Sequence, residues 1–156
     1  MHEWSPAKIE EGRTASSKDL RVEEFMTTDL FTVRAQEPID LVVNLMDWKH
    51  IRHVPVEDDR GRLVGVVSWF EFVHHYARRD VADPGEAVAV STVMRENPIT
   101  IPPETPVLDA IALMRREKLA CLLVVKDESL VGIVSERDFL NLTAQLLQAP
   151  AESETP

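Results

Sequence analysis

Apolar residues recur at intervals of three and four positions in two stretches of the chain, which predicts two amphipathic helices. The apolar positions are Ile39, Val42, Val43 and Met46 in the first stretch and Val107, Ala110, Ile111 and Met114 in the second. Pro38 or Pro106 precedes each stretch, and proline suits the first turn of a helix because its missing N–H is not needed there. Each helix is therefore predicted to bury one face and leave the other polar.

Short apolar runs before and after each of these helices predict β-strands. The predicted strands are 31–34, 53–57 and 63–68 around the first helix and 99–101, 120–125 and 130–135 around the second. Turn residues separate the last two strands of each set, so each pair is predicted to form a β-hairpin. A second amphipathic helix follows each hairpin, from Trp69 to about Arg79 and from Glu136 to about Leu147.

The order strand, helix, strand, strand, helix thus occurs twice, and individual residues repeat with it. The matching pairs include Met26 with Met94, Thr32 with Thr100, Pro38 with Pro106, and Met46 with Met114. The run L-V-G-V-V-S from Leu63 matches L-V-G-I-V-S from Leu130. A unit of about fifty residues buries too little apolar surface to be stable alone. We expect an α+β fold of two pseudo-symmetric β-α-β-β-α repeats packed sheet to sheet, with a cleft at the seam.

The composition between and beyond the repeats divides the chain into five predicted segments. They are a flexible N-terminal segment 1–21, a first repeat 22–79, a linker 80–92 containing Asp83-Pro84-Gly85, a second repeat 93–147, and a flexible C-terminal tail 148–156. Ends of this composition suit either a fragment of a larger protein or a free-standing small protein with frayed termini.

Composition and charge exclude several classes of partner. The 156 residues carry a formal net charge of −10, which works against binding to the phosphate backbone of nucleic acids. Cys121 is the single cysteine and has no partner for an internal disulfide bond. We find no signal peptide and no apolar run long enough to cross a membrane. We therefore expect a cytoplasmic protein that binds neither nucleic acid nor membrane.

Each repeat contains a serine followed three positions later by an acid, Ser68 with Glu71 and Ser135 with Asp138. This spacing is typical of a capping box, in which the two side chains bond to backbone N–H groups at the start of a helix. The same arrangement also suits ligand binding, because an ionised carboxylate can accept hydrogen bonds from both hydroxyls of a ribose. Capping is favoured for the first pair, since glutamate reaches back more easily, and ribose binding for the second.

Each repeat resembles a CBS domain, named after cystathionine β-synthase, and the pair resembles a Bateman module. The residues that carry the resemblance are the openings V-x-x-x-M at Val22 and V-M at Val93, the threonine strand, V-P-V at Val54, and the glycine-to-acid segments at Gly65 and Gly132. The resemblance implies a regulatory module that binds AMP, ADP, ATP or S-adenosylmethionine, and it implies no catalysis and no catalytic cofactor. We also expect a homodimer and a fused or separate effector protein.

The resemblance assigns candidate binding residues by matching positions. They are Ser135, Asp138, Arg137, Arg52 and His53 for ribose and phosphate, Thr100, Ile101, Cys121 and Leu122 for adenine, and Thr32, Val33, Val54, Pro55, Ser68 and Glu71 for a weaker second site. The apolar candidates equally suit the protein core. The basic residues near Arg52 also suit a helix C-terminus, which cations stabilise. Because the basic residues Arg52 and His53 lie in the first copy and Asp138 lies in the second, we expect one good site shared between the copies.

Other kinds of chemistry have no signature in the sequence. There is no G-x-S-x-G elbow and no phosphate-binding G-x-x-x-x-G-K-[ST] loop. The five histidines lack the spacing of a metal site, so we expect no metal. Two hypotheses remain: a module that senses an adenine-containing ligand, and a dimerisation scaffold that binds no small molecule. An enzyme with an unrecognised site is a third and weaker interpretation.

Overall fold

The structure is a computed structural model that describes residues 20–78 and 87–148. In chain order its elements are a 3₁₀ turn (Val22–Glu24), β1 (Val33–Arg34), α1 (Ile39–Lys49), β2 (His53–Glu57), β3 (Leu63–Ser68), α2 (Trp69–Arg78), α3 (Val90–Val93), β4 (Arg95–Glu96), β5 (Thr100–Ile101), α4 (Val107–Glu117), β6 (Cys121–Lys126), β7 (Ser129–Ser135) and α5 (Glu136–Gln148). The predicted flexible ends at 1–19 and 149–156, residue Arg79 and the linker residues 80–86 lie outside the described residues.

The two predicted hairpins are confirmed. β2 pairs with β3 and β6 with β7, both antiparallel, while β1 and β5 pair in parallel with the first strand of the hairpin that follows. Asp127 and Glu128 join β6 to β7 with φ angles of 49° and 63°, the left-handed conformation that a tight hairpin turn requires. The first strand of each copy is shorter than predicted: β1 begins at Val33 and β5 at Thr100.

The predicted amphipathic helices α1 and α4 bury one stripe each. The buried positions are Ile39, Val42 and Met46 in α1 and Val107, Ala110 and Met114 in α4. Pro38 and Pro106 stand just before the first helical residue, as caps without a side-chain hydrogen bond. Both helices end at a residue in the left-handed conformation, His50 or Lys118, which turns the chain into the next strand.

The opening segment of each copy packs on the other copy, which the sequence analysis did not predict. Val22 lies in the core of the second copy, with Leu122 and Val134. Conversely, Val88, Val90 and Val93 lie in the core of the first copy. The residues just before the second repeat, which we assigned to the linker, therefore include a helical turn with buried valines. The two copies are joined by this exchange of openings as well as by their sheets.

The exchange also extends both sheets. β4 pairs with β3 through Gly65 and Val66, so the first sheet has the order β1-β2-β3-β4. In the second copy, Thr27 forms the matching bridge to Ile133 of β7, at the edge of the sheet β5-β6-β7. Each sheet is thus completed by a residue that lies directly after the opening methionine of the other copy.

The repeated glycines lie where these openings cross the strands. A Cβ atom on Gly65 would stand 2.6 Å from the sulfur of Met94, and one on Gly132 would collide with the sulfur of Met26. A side chain at either position would force the methionine to move. The repeated glycine and the repeated methionine are therefore one packing contact that occurs twice.

The sheets also have a second buried face. Val67 of β3 and Leu122 of β6 belong to the cores beneath the helices, whereas their neighbours Val66 and Leu123 project to the opposite face because strand residues alternate. Val66 and Leu123 are both 1% exposed. The predicted α+β fold of two copies packed sheet to sheet is confirmed, and these residues lie on the inner faces of the seam.

Candidate functional site

The first serine and acid form a capping box at the junction of β3 and α2, as predicted. The backbone N–H of Ser68 donates to Glu71 Oε2 over 2.9 Å, and the Ser68 hydroxyl donates to the same oxygen. In return, the backbone N–H groups of Phe70 and Glu71 donate to Ser68 Oγ over 3.2 and 3.4 Å. The Glu71 carboxylate therefore holds the first turn of α2.

The second pair, at the junction of β7 and α5, also forms the acid half of a capping box, although aspartate is shorter than glutamate and reaches back less easily. The N–H and the hydroxyl of Ser135 both donate to Asp138 Oδ2, each over 2.7 Å. The other carboxylate oxygen, Oδ1, accepts a 3.3 Å hydrogen bond from the hydroxyl of Thr27. Asp138 is 7% exposed and is the one charged or polar residue in the buried class within residues 20–78 and 87–148. Its carboxylate is thus held inside the protein by three donors.

Thr27 is a site residue that the sequence does not indicate. It reaches the junction of β7 and α5, called here the second corner and formed by Ser135 and Asp138, through the exchange of openings. Its backbone N–H donates to the Ile133 carbonyl over 2.9 Å, and its carbonyl accepts from the Ile133 N–H over 3.0 Å. Ile133 lies two positions before Ser135 on β7. Nothing in the local sequence around Thr27 indicates this neighbour, because the contact depends on the packing of the two copies.

Arg95 is the counterpart of Thr27 in the first copy, and the sequence does not indicate it either. Its backbone pairs with Val66 of β3, as that of Thr27 pairs with Ile133. The charge of Arg95 acts on two predicted site residues, His53 of the first copy and Cys121 of the second. Arg95 therefore adds a positive charge at the seam.

His53, a predicted phosphate ligand, lies beside the junction of β3 and α2, called here the first corner and formed by Ser68 and Glu71, where it pairs in register with Ser68. Burial lowers the pKa of His53 below its ordinary value of 6.5. The Glu71 carboxylate opposes this shift, and the positive charges of Arg52 and Arg95 add to it. Arg52 is exposed and its carbonyl accepts from the N–H of Trp69 at the start of α2. These residues give the first corner two arginines, a histidine and a carboxylate.

Cys121, a predicted adenine contact, occupies the same place in the second copy, where it pairs in register with Ser135. Burial raises the pKa of its thiol to about 12, a shift that the Arg95 charge opposes and the Glu71 charge adds to. The side chain is therefore a neutral, apolar group. The charges of Glu71 and Arg95 thus act on Cys121, which pairs with Ser135 of the second copy.

The other predicted adenine residues of the second copy fall into two groups. Ile101 and Leu122 are buried in the core beneath α4, with relative exposures of 6% and 0%. Thr100 is exposed and pairs in register with Leu123, whose side chain lies on the inner face of the seam. Thr100 and Cys121 are accordingly the members of this set that lie outside that core.

The matching residues of the first copy are arranged similarly. Val33 and Val54 are buried in the first core, and Pro55 is buried opposite Val66 on β3. Thr32 is exposed, and its hydroxyl donates to Glu57 Oε2 over 3.0 Å. With Ser68 and Glu71 bonded to each other, the polar members of the weaker predicted site already have partners within the first copy.

Arg137 is exposed on the first turn of α5, next to Asp138. A separate open cavity of about 310 Å³ lies between α2 and α3 and is lined by Glu71, His74, His75, Arg78, Thr92 and Val93. Of the predicted site residues, Glu71 alone borders it. The described part of the chain holds no group of three or more His, Cys, Asp or Glu side chains placed to bind a metal ion. Its helices are too short or too polar to span a membrane.

Comparison with known proteins identifies the two copies. A family model described as CBS domain matches residues 22–78 and 90–144. A CBS domain-containing protein of Dictyostelium discoideum is 28% identical over 135 residues, which cover 81% of this chain and 93% of that protein. The crystal structure of CBSX2 in complex with AMP is similar with 26% identity and a TM-score of 0.70, covering 82% of this chain and 98% of that one.

The chain also matches a part of an enzyme. Homoserine O-acetyltransferase of Methanococcoides burtonii is 29% identical over 128 residues, which cover 78% of this chain. The chain spans 24% of the length of that enzyme.

Proposed function

Because the chain belongs to the CBS-domain family, with two copies at residues 22–78 and 90–144, we propose that it is a regulatory module that binds an adenine nucleotide or an adenosyl compound at the seam. CBSX2, a similar protein, binds AMP, which supports this choice of ligand. The proposed role is regulation rather than catalysis. Ligand binding would change the packing of the two copies, and a fused or separate effector would respond to that change.

The observation that carries the proposal is the Asp138 carboxylate. A buried carboxylate at the start of a helix is costly unless hydrogen-bond donors surround it, and here three donors keep it in place beside the seam. A ribose diol supplies two further O–H donors of the kind that a carboxylate binds best. We assign the ribose to Asp138 and Ser135, and the adenine to the inner face near Cys121 and Thr100.

Phosphate groups on such a ligand need cations. The candidates are Arg137 beside Asp138 and, across the seam, Arg52, His53 and Arg95. His53 and Arg95 are favoured because the charge of Arg95 acts on His53 and also on Cys121, which pairs with Ser135 on the neighbouring strand. A single site shared between the copies would use the carboxylate of one copy and the cations of the other.

The proposal is tested by thermal unfolding with a panel of AMP, ADP, ATP, NADH, S-adenosylmethionine and guanosine monophosphate. A ligand present at a hundred times its dissociation constant should add about 2.7 kcal/mol to the free energy of unfolding. Stabilisation by at least one adenine compound, with little effect from the guanine control, is the expected result. If none of the adenine compounds stabilises the protein, the sensing function is wrong.

A dimerisation scaffold is a second candidate function, because both helices that follow the serines expose apolar side chains. In α2, Trp69 and Phe70 are 51% and 72% exposed, and in α5, Leu140 and Leu147 are 70% and 81% exposed. Equivalent helices of two copies with such faces suit a two-fold symmetric homodimer, in which each face meets its counterpart. The homodimer is compatible with ligand sensing, whereas a dimer without any ligand response would leave scaffolding as the function.

A further inference from the structure

The hydrogen bonds of Asp138 restrict how a ribose can bind there. A carboxylate has about four acceptor positions, two on each oxygen. The N–H and hydroxyl of Ser135 fill both positions on Oδ2, and the Thr27 hydroxyl fills one position on Oδ1. One position remains, but a ribose diol that binds with both hydroxyls needs two. One of the three internal donors must therefore leave when the diol binds.

Thr27 is the donor that is most easily displaced. Its O–H···O distance of 3.3 Å lies beyond the usual range, which ends near about 3.0 Å, whereas both Ser135 bonds measure 2.7 Å. The Ser135 N–H belongs to the backbone of β7, and the Ser135 side chain lies at the junction of β7 and α5. The Thr27 hydroxyl, in contrast, can turn away by rotation about one bond and leave the turn into α5 unchanged.

Because five donors cannot share about four acceptor positions, and on the assumption that the proposed ligand binds at Asp138, we propose that the Thr27 hydroxyl and the ribose diol compete for the Asp138 carboxylate. Ligand binding then loosens the connection between Thr27 and the second copy. Because coupling between two equilibria is reciprocal, loss of the Thr27 hydroxyl strengthens ligand binding. In the first copy the equivalent position is Arg95, so this competition belongs to the second corner.

Through this competition, ligand binding would affect how the N-terminal opening segment is attached to the second copy. Leu20 and Val22 are buried in the second copy, and the N–H of Val22 donates to the Thr105 carbonyl over 3.0 Å. Thr27 is the last anchor of this opening segment, residues 20–27, before the chain enters β1. When the hydroxyl bond is lost, Thr27 stays attached by its two backbone bonds to Ile133 alone, so this end of the segment opens more readily, while Val22 keeps the other end attached.

The test combines one variant with one measurement on the unaltered protein. Thr27→Val removes the hydroxyl with little change of shape and should bind AMP, or whichever panel compound stabilises the protein, about threefold to tenfold more tightly. Thr27→Ser keeps a hydroxyl, and Thr143→Val removes a hydroxyl that donates to Phe139 in α5. Both control variants should keep the affinity of the unaltered protein.

Amide hydrogen exchange followed by NMR tests the same proposal without a substitution. On saturation with ligand, the Thr27 amide should exchange faster relative to the Val22 amide, whose bond to Thr105 serves as the internal reference. A merely structural role for Thr27 predicts no such change in the ratio. An unchanged ratio would overturn the proposal even if Thr27→Val fails to fold.

The outcomes separate this inference from the proposed function. If the unaltered protein binds a ligand and Thr27→Val binds it equally or more weakly, the competition is wrong and the sensing function stands. If Thr27→Val alone binds a ligand, the competition is supported, since the hydroxyl then blocks the site. If neither protein binds any compound of the panel, both the competition and the sensing function are overturned.

Discussion

Thr27 and Asp138 are hydrogen-bonded to each other although 111 positions separate them in the chain. The bond exists because the opening of each copy crosses to the other, so the corner around Asp138 contains residues from both halves. The corner around Glu71 is assembled in the same way, with Arg95 in the place of Thr27. The proposed binding seam therefore depends on the association of the two copies, and a single copy would lack part of each corner.

Asp138→Ala should weaken binding of the adenine ligand by about ten- to a hundredfold, because a carboxylate that accepts from a ribose hydroxyl contributes about 1.5 to 3 kcal/mol. Isothermal titration calorimetry with AMP measures the change. Asp109→Ala is the matched control, since it removes an exposed acid from the first turn of α4, outside the proposed site, and should leave the affinity unchanged. Equal affinities in Asp138→Ala and the unaltered protein would remove Asp138 from the site.

Arg95→Ala should weaken binding of ADP or ATP by about threefold to tenfold and leave adenosine binding nearly unchanged, because its charge acts on phosphate and not on the nucleoside. The comparison of nucleotide with nucleoside separates a lost charge from a distorted site. Arg62→Ala removes an equal charge from the β2–β3 turn, where Arg62 pairs with Asp58, and should affect neither ligand. A similar loss for adenosine and ATP would contradict the role of Arg95.

Gly132→Ala should lower the free energy of unfolding by about 1 to 3 kcal/mol, because the new Cβ meets the Met26 side chain in a packed interface. Urea denaturation measures the loss. The double variant with Met26→Ala removes the collision, so the two substitutions should cost less together than the sum of their separate effects. Strict additivity would show that the glycine is required for another reason.

The sequence predicts the individual elements well because each of them is determined locally. Nearby residues alone determine the helix from Ile39, the turn at Asp127 and the position of the serine at each strand-to-helix junction. The exchange of openings is different. Val22 and Val93 carry the same pattern and could be buried equally well in their own copy or in the other, so periodicity cannot distinguish the two arrangements.

For the same reason, half of the candidate site could not be read from the sequence. Thr27 and Arg95 each follow a repeated methionine and have no unusual neighbours, and only the tertiary pairing with Ile133 or Val66 brings them to the seam. His53 was recognised by its resemblance to a basic pair, but its proximity to Ser68 follows from the register of β2 and β3. Site residues that belong to a recognisable motif could thus be predicted, whereas those that reach the site only through tertiary packing could not.

The lowered pKa of His53 makes stability depend on pH. Because burial holds the pKa below 6.5 in the folded protein, the unfolded protein binds more protons in acid, and unfolding becomes more favourable as the pH falls. The contribution of His53 is complete above about pH 6.5 and is lost as the pH decreases through the folded-state pKa. His53→Gln should therefore lose less stability than the unaltered protein between about pH 7.5 and about pH 5.5.

Chemical denaturation at the two pH values checks this prediction. His74→Gln changes an exposed histidine on α2 and should keep the pH dependence of the unaltered protein. If His53→Gln and the unaltered protein lose stability in parallel, other groups account for the acid sensitivity.

Phe70→Glu and Leu140→Glu should convert the proposed homodimer into a monomer. Each substitution introduces a charge into an exposed apolar helix face, one on α2 and one on α5, and a two-fold interface would contain each charge twice, in contact or in close proximity. Repulsion and the cost of burying the charges should weaken association by several kcal/mol. Because both side chains are exposed in the single chain, the free energy of unfolding of the monomer should change by less than about 0.5 kcal/mol.

Light scattering coupled to size-exclusion chromatography distinguishes the possible arrangements. Arg60→Glu, an exposed change on the β2–β3 turn, is the control for added negative charge and should leave the dimer intact. Loss of the dimer with only one of the two glutamate variants would indicate that a single helix forms the interface. If both variants and the unaltered protein have the same dimeric mass, the dimer uses another surface, because an interface through α2 and α5 could not accommodate these charges.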